Sequence, residues 1–194
     1  MTKAARTKQL IIEQAAPIFN TKGIAATAMS DIMEATGLAK GSLYVHFENK
    51  EELCNAVVDY TMHCLSEKVK QQLDRQKTAK GKLFAYVDFL SNTKQPPIPG
   101  GCPMLNFGME ADDTNPVIKK KVNKNITLAV ATLTNILKEG IASGEFRQPF
   151  NAEEFATKMF ALLEGGIMMS RMEENSKTMP LIVAILKKEI ELLG

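Results

Sequence analysis

The 194-residue sequence contains few of the residue types on which metal, redox and catalytic sites depend. It has two histidines and three cysteines, Cys54, Cys64 and Cys102, which are widely spaced and form no C-x-x-C pair. A disulfide framework and a zinc site are therefore both disfavoured. No phosphate-binding loop and no nucleophile–base spacing occurs, so nothing in the sequence indicates an enzyme or a cofactor.

Long hydrophobic runs are also absent. No stretch of about 18 apolar residues occurs, and the N-terminus, MTKAARTKQL, lacks the apolar core of a secretion signal. We therefore expect a cytoplasmic protein that does not enter a membrane. The hydrophobic content of 45% is that of a globular protein. The length allows one large domain, or a small domain and a larger one.

Residues 27 to 53, TAMSDIMEATGLAKGSLYVHFENKEEL, form the most informative stretch. Apolar residues follow a helical period on both sides of Gly37. Glycine adopts a left-handed backbone conformation at no steric cost, so Gly37 suits a tight turn between two short helices. The stretch predicts a helix-turn-helix, with its second helix over residues 40 to 47 and a longer helix that starts near Lys50.

The second of these short helices has two different faces. At about 100° per residue, Leu43 and Phe47 fall on one side, which we expect to pack inward. The opposite side carries Gly41, Ser42 and Val45. It therefore offers a hydroxyl group and a glycine that permits close approach, without a bulky apolar side chain. This composition suits a helix that lies in a DNA major groove.

Groups that could contact phosphates flank the outward face. Lys40 and Tyr44 lie on one edge and His46 on the other, and their charge, hydroxyl and ring nitrogens suit contacts with DNA phosphates. Residues 1–50 hold six lysines and arginines against four acidic residues, whereas residues 51–194 hold eighteen of each sign. The excess positive charge thus lies in the part of the chain that carries the helix-turn-helix, as phosphate binding favours.

The stretch from about Lys8 to Leu53 resembles the TetR family of transcriptional regulators. More than fifteen positions fall in register without a gap. They are Ile11, Ile12, Ala15, Ile18, Phe19, Gly23, Thr27, Ile32, Ala35, Gly37, Leu38, Lys40, Gly41, Ser42, Leu43, Tyr44, His46, Phe47, Lys50 and Leu53.

Two positions depart from the family pattern. Ala39 stands where the family often has a serine, so a hydroxyl that would cap the helix is missing, at a cost of about 1 kcal/mol of helix stability. Val45 stands where a second tyrosine is frequent, and its apolar side chain suits the methyl group of thymine. The second change alters which operator is read, not whether one is read.

The resemblance implies an all-α protein with two domains. A three-helix DNA-binding domain over residues 1–49 would precede a helical effector-binding and dimerisation domain over residues 50–194, in which residues 50–76 form a connecting helix. The implied function is a DNA-binding transcriptional repressor that binds an inverted-repeat operator as a homodimer. The residues expected to contact DNA are Thr27, Lys40, Gly41, Ser42, Tyr44, Val45, His46 and Lys50.

The last two predicted helices, over residues 152 to about 172 and 179 to 193, each carry an apolar stripe. Gly165 and Gly166 interrupt the first at a cost of about 1 kcal/mol each relative to alanine, which indicates that another helix packs very close. In proteins that resemble this one, the two C-terminal helices pair with those of a second subunit. We therefore expect a homodimer through these helices, although a stripe is also compatible with an intramolecular core.

A small apolar or amphipathic effector is the expected ligand of the second domain. Eight of the eleven methionines follow residue 60, and methionine-rich linings adapt to varied apolar ligands. For any one of these methionines, ordinary core packing is the simpler explanation. The candidate pocket residues are Tyr60, Met62, Phe89, Cys102, Met104, Phe107, Met109 and Met168.

Two other interpretations remain open at this point. A redox-responsive thiol switch on the same fold would use Cys54, Cys64 and Cys102, with His63 beside the second of them. A helical adaptor would keep the fold without binding DNA. Function that survives cysteine substitution would exclude the switch, and a gel shift with operator DNA would exclude the adaptor.

Overall fold

The structure is a computed structural model that describes residues 2–92, 96, 98–147, 150–173 and 177–194. Within these ranges the chain forms nine α-helices and no β-strand, which confirms the predicted all-α class. No helix in the described ranges is long and apolar enough to cross a membrane. The helices are α1 (Lys3–Lys22), α2 (Met29–Thr36), α3 (Lys40–His46), α4 (Lys50–Leu73), α5 (Ala79–Ser91), α6 (Pro103–Ala111), α7 (Pro116–Ala142), α8 (Ala152–Met172) and α9 (Thr178–Leu193).

Asparagine side chains cap two of the long helices. At the start of α4 the backbone amide of Glu52 donates to Asn49 Oδ1 at 2.8 Å. At the start of α8 the amide of Glu154 donates to Asn151 Oδ1 at 3.2 Å, and the Asn151 amide group donates back to the Glu154 carboxylate at 3.1 Å. These bonds satisfy first-turn amides that have no partner inside the helix.

Helices α1, α2 and α3 enclose a small apolar core. Ile11, Phe19, Ile32, Leu43 and Phe47 are each 0% exposed. Burial of side chains of this size contributes about 1.5–3 kcal/mol each. The predicted inward face of α3 is therefore confirmed, and this core fixes the orientation of α3.

The chain divides into two compact units, and they do not coincide with the two domains expected from the sequence. One unit comprises residues 1–65 and 97–123, and the other comprises residues 66–96 and 124–194. Besides α1, α2 and α3, the first unit therefore contains α6, α4 as far as Leu65 and α7 as far as Asn123. Side chains of α6 bond to the end of α1 and to the turn that follows it, and local sequence patterns give no sign of such pairing.

Helices α5, α8 and α9 pack against one another in the second unit. Leu83, Leu163 and Leu186, one from each helix, are 0% exposed. Exposed ion pairs lie at the edge of this packing, for example between Lys80 Nζ and Glu191 Oε2 at 2.9 Å. Because such pairs contribute at most about 1 kcal/mol, apolar burial dominates the stability of this unit.

Only one of the two adjacent glycines in α8 is explained by packing within the chain. A Cβ atom added to Gly166 would lie 2.7 Å from Ile182 Cδ1 and 3.1 Å from Met179 Cε, both of α9. A Cβ atom added to Gly165 would meet no atom within 4 Å. Close helix packing, predicted for both positions, is thus found at Gly166.

Gly140 of α7 lies against the ring of Phe146, in the turn after α7. A Cβ atom at Gly140 would overlap this ring and would lie 2.9 Å from Ala79 Cβ. Phe146 is 2% exposed, and the neighbouring Glu145 carboxylate accepts hydrogen bonds from the Ala79 and Lys80 amides at 2.8 Å each. The turn after α7 therefore fixes the start of α5.

We predict that Gly140→Ala lowers the free energy of unfolding by about 1–3 kcal/mol through overpacking, although alanine is the better helix former by about 1 kcal/mol. Urea denaturation measures the change. The exposed position 138 on the same helix provides a control, because Lys138→Ala should change stability by less than about 0.5 kcal/mol. Unchanged or increased stability of Gly140→Ala would show that the ring of Phe146 moves aside without loss.

Candidate functional site

Helices α2 and α3 form the predicted helix-turn-helix. Gly37 ends α2 with φ 67° and ψ 13°, the left-handed conformation that the sequence predicts for it. Helix α3 then begins at Lys40 and has seven residues. Leu43 and Phe47 are both 0% exposed, so the inward face of α3 is the one predicted.

The outward face of α3 is open. Gly41, Ser42 and Val45 are exposed, and Val45 is 81% exposed. A Cβ atom added to Gly41 would meet no atom within 4 Å, so the chain itself provides no steric reason for glycine. Glycine is also a poor helix former. An exposed valine beside a glycine of this kind suits a surface that another molecule approaches closely.

Charged and hydroxyl groups border this face. Lys40 and Tyr44 are exposed, and Lys40 Nζ lies 6.0 Å from the centroid of the Tyr44 ring. His46, at the end of α3, is half-buried. As the sequence predicts, Ala39 precedes α3 without a side-chain cap. The arrangement places a positive charge and a phenol hydroxyl at one edge of an uncharged surface.

Thr27 does not occupy the position predicted for a DNA contact. It is 1% exposed, and its hydroxyl donates to the carbonyl oxygen of Gly23 at 2.6 Å. Nor does it cap α2, because the residue before this helix is Ala28, whose amide donates to Asp31 Oδ2 at 2.9 Å. Thr27 stabilises the turn between α1 and α2 from inside and leaves the candidate contact set.

The turn between α1 and α2 is bonded to two other helices of the first unit. Glu110 of α6 accepts hydrogen bonds from the backbone amides of Ile24 and Ala25, one on each carboxylate oxygen, both at 2.6 Å. Lys50 of α4 donates from Nζ to the carbonyl oxygen of Ala25 at 3.1 Å. Lys50, which we expected at the DNA, is therefore engaged with the turn that precedes α2.

Helix α6 also bonds to the end of α1. Asn106 Nδ2 lies 2.9 Å from the carbonyl oxygen of Asn20, 3.0 Å from Asn20 Oδ1 and 2.9 Å from the carbonyl oxygen of Gly100. Asn20 is 3% exposed, and its own amide group donates to the carbonyl oxygens of Pro99 and Gly101 at 2.8 and 3.1 Å. A buried polar network of this kind specifies a single geometry.

We refer to Asn106 and Glu110 together as the α6 anchor. Sequence reasoning did not identify these two residues, although one signal was present. They are the only strongly polar residues of an otherwise apolar helix, and their spacing of four places them on one face. Their partners in α1 and the following turn lie 86 and 85 positions earlier, and no local pattern connects them.

Two further carboxylates fix helix ends in the first unit. Asp31 Oδ1 lies 2.9 Å from Lys22 Nζ. This hydrogen bond has the largest effect in lowering the pKa of Asp31, and a hydrogen bond from a backbone amide lowers it further. Glu52 accepts from the backbone amide of Glu48 at 2.8 Å and lies 3.1 Å from Lys8 Nζ. The bond from the Glu48 amide has the largest effect in lowering the pKa of Glu52, and the bond with Lys8 lowers it further. Both carboxylates are therefore charged at neutral pH.

Cys54 is not placed to act as a reactive thiol. Among the described residues no disulfide joins Cys54, Cys64 or Cys102, and no group of three or more His, Cys, Asp and Glu side chains is placed to bind a metal ion. Burial, reinforced by the Glu110 carboxylate, raises the pKa of Cys54 to about 11. Its thiol is therefore protonated at neutral pH and a weak nucleophile. Burial and a hydrogen bond with Cys64 raise the pKa of Tyr60 to about 12.

The residues predicted for an effector pocket fall into both compact units. The first unit contains Tyr60, Met62, Cys102, Met104, Phe107 and Met109, and the second contains Phe89 and Met168. Met109 is 68% exposed and Met168 is 49% exposed. These two methionines face outward, so the prediction that they line an interior pocket does not agree with their placement. Met62, Met104 and Phe107 are buried, as a lining requires.

Comparison with known proteins gives a match for both parts of the chain. Residues 11–57 match the family model described as bacterial regulatory proteins, tetR family, and residues 79–186 match the tetracyclin repressor-like C-terminal domain. A TetR-family transcriptional regulator from Cytophaga hutchinsonii has a solved structure that is 36% identical, with a TM-score of 0.93, over 100% of this chain and 98% of that chain.

Two further relatives are similar over most of their length. The solved structure of a TetR transcriptional regulator from Chloroflexus aurantiacus J-10-FL is 37% identical, with a TM-score of 0.92, over 98% of this chain and 97% of that one. The HTH-type transcriptional repressor DhaR of Mycobacterium sp. (strain GP1) is 25% identical over 174 residues, which are 88% of this chain and 86% of that protein. All three of these relatives are described as transcriptional regulators or repressors. The helix-turn-helix geometry and the two family matches lead to one conclusion: the chain belongs to the TetR family of transcriptional regulators and carries a DNA-binding domain of that family.

Proposed function

We propose that the chain is a cytoplasmic repressor that binds an inverted-repeat operator as a homodimer and leaves it when a small apolar or amphipathic effector binds. The observation that carries the DNA-binding part is the open outward face of α3. This face presents Gly41, Ser42 and Val45, which are all exposed, beside the charge of Lys40. A role as repressor is supported by the name of the relative DhaR.

Each residue of this face has a distinct role in the proposed complex. Gly41 allows the backbone of α3 to approach the floor of the major groove. Ser42 donates or accepts a hydrogen bond at a base edge, and Val45 contacts a thymine methyl group. Lys40 and Tyr44 bind phosphates from one edge, which sets the register of the helix without reading sequence.

The proposed dimer uses the exposed faces of α8 and α9. Met168, Met169 and Met172 of α8 are 49%, 44% and 78% exposed. They share one face with Gly165, whose missing Cβ would meet only open space. On α9, Leu181, Ile185 and Leu192 are 61%, 41% and 75% exposed, and their spacing again places them on one side.

This apolar surface indicates a second copy of the chain as the occupant. Several exposed apolar side chains aligned on one face of a helix indicate an interaction site. Two-fold pairing of α8 and α9 would form a four-helix bundle and would let Gly165 accept a close helix crossing. A two-fold dimer presents two copies of α3, and they fit successive major grooves when about 34 Å apart. The operator we propose is therefore an inverted repeat.

Effector release is supported by the buried apolar side chains Met62, Met104 and Phe107 and by the continuity of α4, which runs from Lys50 to Leu73. A displaced α4 would change the separation of the two recognition helices. A hundredfold loss of operator affinity requires a coupling free energy of about 2.7 kcal/mol, which a few apolar contacts could supply.

We predict that Lys40→Ala weakens operator binding about equally for all related sequences and lowers the slope of log K against log salt by about 1, because one phosphate contact is lost. Val45→Ala should instead change the preference at one base pair, by about 1–3 kcal/mol at most. Fluorescence anisotropy with duplexes from the DNA that flanks the coding region measures both effects.

Lys138→Ala, a charge change on an exposed surface of α7, is the control for Lys40→Ala and should leave affinity and salt slope unchanged. A wild-type protein that binds no inverted repeat at low ionic strength would contradict the proposal. The adaptor interpretation would then be the better one.

We predict that Ile185→Asp converts the dimer to a monomer, because it introduces a charge into the centre of an apolar interface. Sedimentation equilibrium measures the mass, and operator binding should fall with it. Val117→Asp is the matched control, since Val117 on α7 is 50% exposed and lies outside the proposed interface. A dimer that survives Ile185→Asp would place the interface elsewhere.

We predict that straight-chain fatty acids of increasing length, tested as apolar probes, include at least one that raises the melting temperature and weakens operator binding. Binding to the folded state stabilises it by mass action, and coupling links the two sites reciprocally. A probe that binds tightly and leaves operator affinity unchanged would refute the coupling while leaving DNA recognition intact.

A further inference from the structure

We propose that the α6 anchor, Asn106 and Glu110, positions the helix-turn-helix for operator binding although it lies outside that motif. Glu110 acts on the turn after α1, and Asn106 acts on the end of α1 itself. The two are positioning residues: they act through α1 and α2 on the placement of α3. The inference rests on the proposed DNA-binding function, and it identifies the residues that fix the position of α3 for that function.

Glu110 constrains two successive peptide groups with one carboxylate. Its two oxygens each accept a hydrogen bond, from the amides of Ile24 and Ala25, at 2.6 Å. Hydrogen bonds to an ionised acceptor are shorter and stronger than neutral ones. Because two adjacent amides must both point at one planar group, the direction of the chain at Ile24 and Ala25 is fixed.

The Ala25 carbonyl is bonded from a different helix. Lys50 Nζ, at the start of α4, donates to it at 3.1 Å. The peptide groups on either side of Ala25 are thus bonded to opposite charges, one on α6 and one on α4. Helix α2 begins four residues later, at Met29. The turn therefore determines where α2 starts, and through Gly37 it determines where α3 lies.

Asn106 secures the chain immediately before this turn. It contacts both the carbonyl oxygen and the side-chain oxygen of Asn20, which is 3% exposed. Gly100 fits closely here, because a Cβ atom on it would lie 2.6 Å from the Asn20 carbonyl oxygen. One face of α6 therefore bonds both to the end of α1, at Asn20, and to the turn that follows, at Ile24 and Ala25.

The sign of the Glu110 effect separates positioning from simple electrostatics. Removal of a negative charge from a DNA-binding unit should strengthen binding to the phosphate backbone. Loss of the anchor should weaken binding, because α3 is no longer placed for its contacts. Glu110→Gln combines both changes, whereas Asp113→Asn, three residues further along and exposed, makes the charge change alone.

The experiment compares full-length wild type, Glu110→Gln, Glu110→Asp and Asp113→Asn on the inverted-repeat duplex that the wild type binds. Operator affinity is measured by anisotropy at several salt concentrations, and amide hydrogen exchange is measured at Ile24 and Ala25. We expect Glu110→Gln and Glu110→Asp to bind about tenfold or more weakly, the effect of losing one charge-assisted bond. Both should show a shallower salt slope and faster exchange at these two amides.

Each result has a defined meaning. Glu110→Asp keeps the charge but is too short to reach both amides, so wild-type affinity in this variant would overturn the proposal. A Glu110→Gln variant with the same operator affinity as the Asp113→Asn variant would also overturn the proposal. A purely structural role would lower the fraction of active protein and leave the salt slope of that fraction unchanged. If Glu110→Gln does not fold, Glu110→Asp and the exchange rates decide. Failure of the wild type to bind any inverted repeat would instead refute the proposed function.

Discussion

The recognition helix depends on the burial of two side chains. Helix α3 has seven residues, and a helix of that length is not stable in water by its own hydrogen bonds. Leu43 and Phe47, each 0% exposed, attach it to the core formed with α1 and α2. Every outward group on α3 takes its direction from these two contacts. The surface proposed to face DNA consequently depends on the core beneath it.

Polar contacts supply the precision that apolar packing leaves undetermined. The core alone allows small shifts of α2 and α3, because apolar contacts have little directionality. Hydrogen bonds donated by Asn106 and Lys50, and one accepted by Glu110, restrict the end of α1 and the turn after it. Misplacement of a recognition helix by about one ångström is enough to lose directional contacts with base edges. Apolar burial and charged bonds therefore have separate tasks in this unit.

The sequence was sufficient for those features that depend on neighbouring residues. Gly37, the buried pair on α3 and the asparagine caps at Asn49 and Asn151 all follow from local spacing and local hydrogen bonds. Such features recur within one or two helical turns, so a pattern in the sequence can represent them.

Features that join distant parts of the chain were not predictable in this way. Thr27 and Lys50 match a DNA-binding motif, yet both are engaged inside the unit with Gly23 and Ala25. The pairing of Glu110 with the turn crosses 85 positions. Because this pairing joins α6 to the helix-turn-helix, the compact units differ from the domains expected from sequence.

Gly41 and Gly165 have the same consequence for how the sequence of such a protein can evolve. Each sits in a helix where the chain leaves room for a methyl group, so the isolated subunit would gain stability from alanine at either position. One lies on the surface proposed for DNA and the other on the surface proposed for the second subunit. Selection for heat resistance alone would therefore favour the loss of both glycines. The resulting subunit would be more stable, but it would tend to be a monomer that no longer binds its operator.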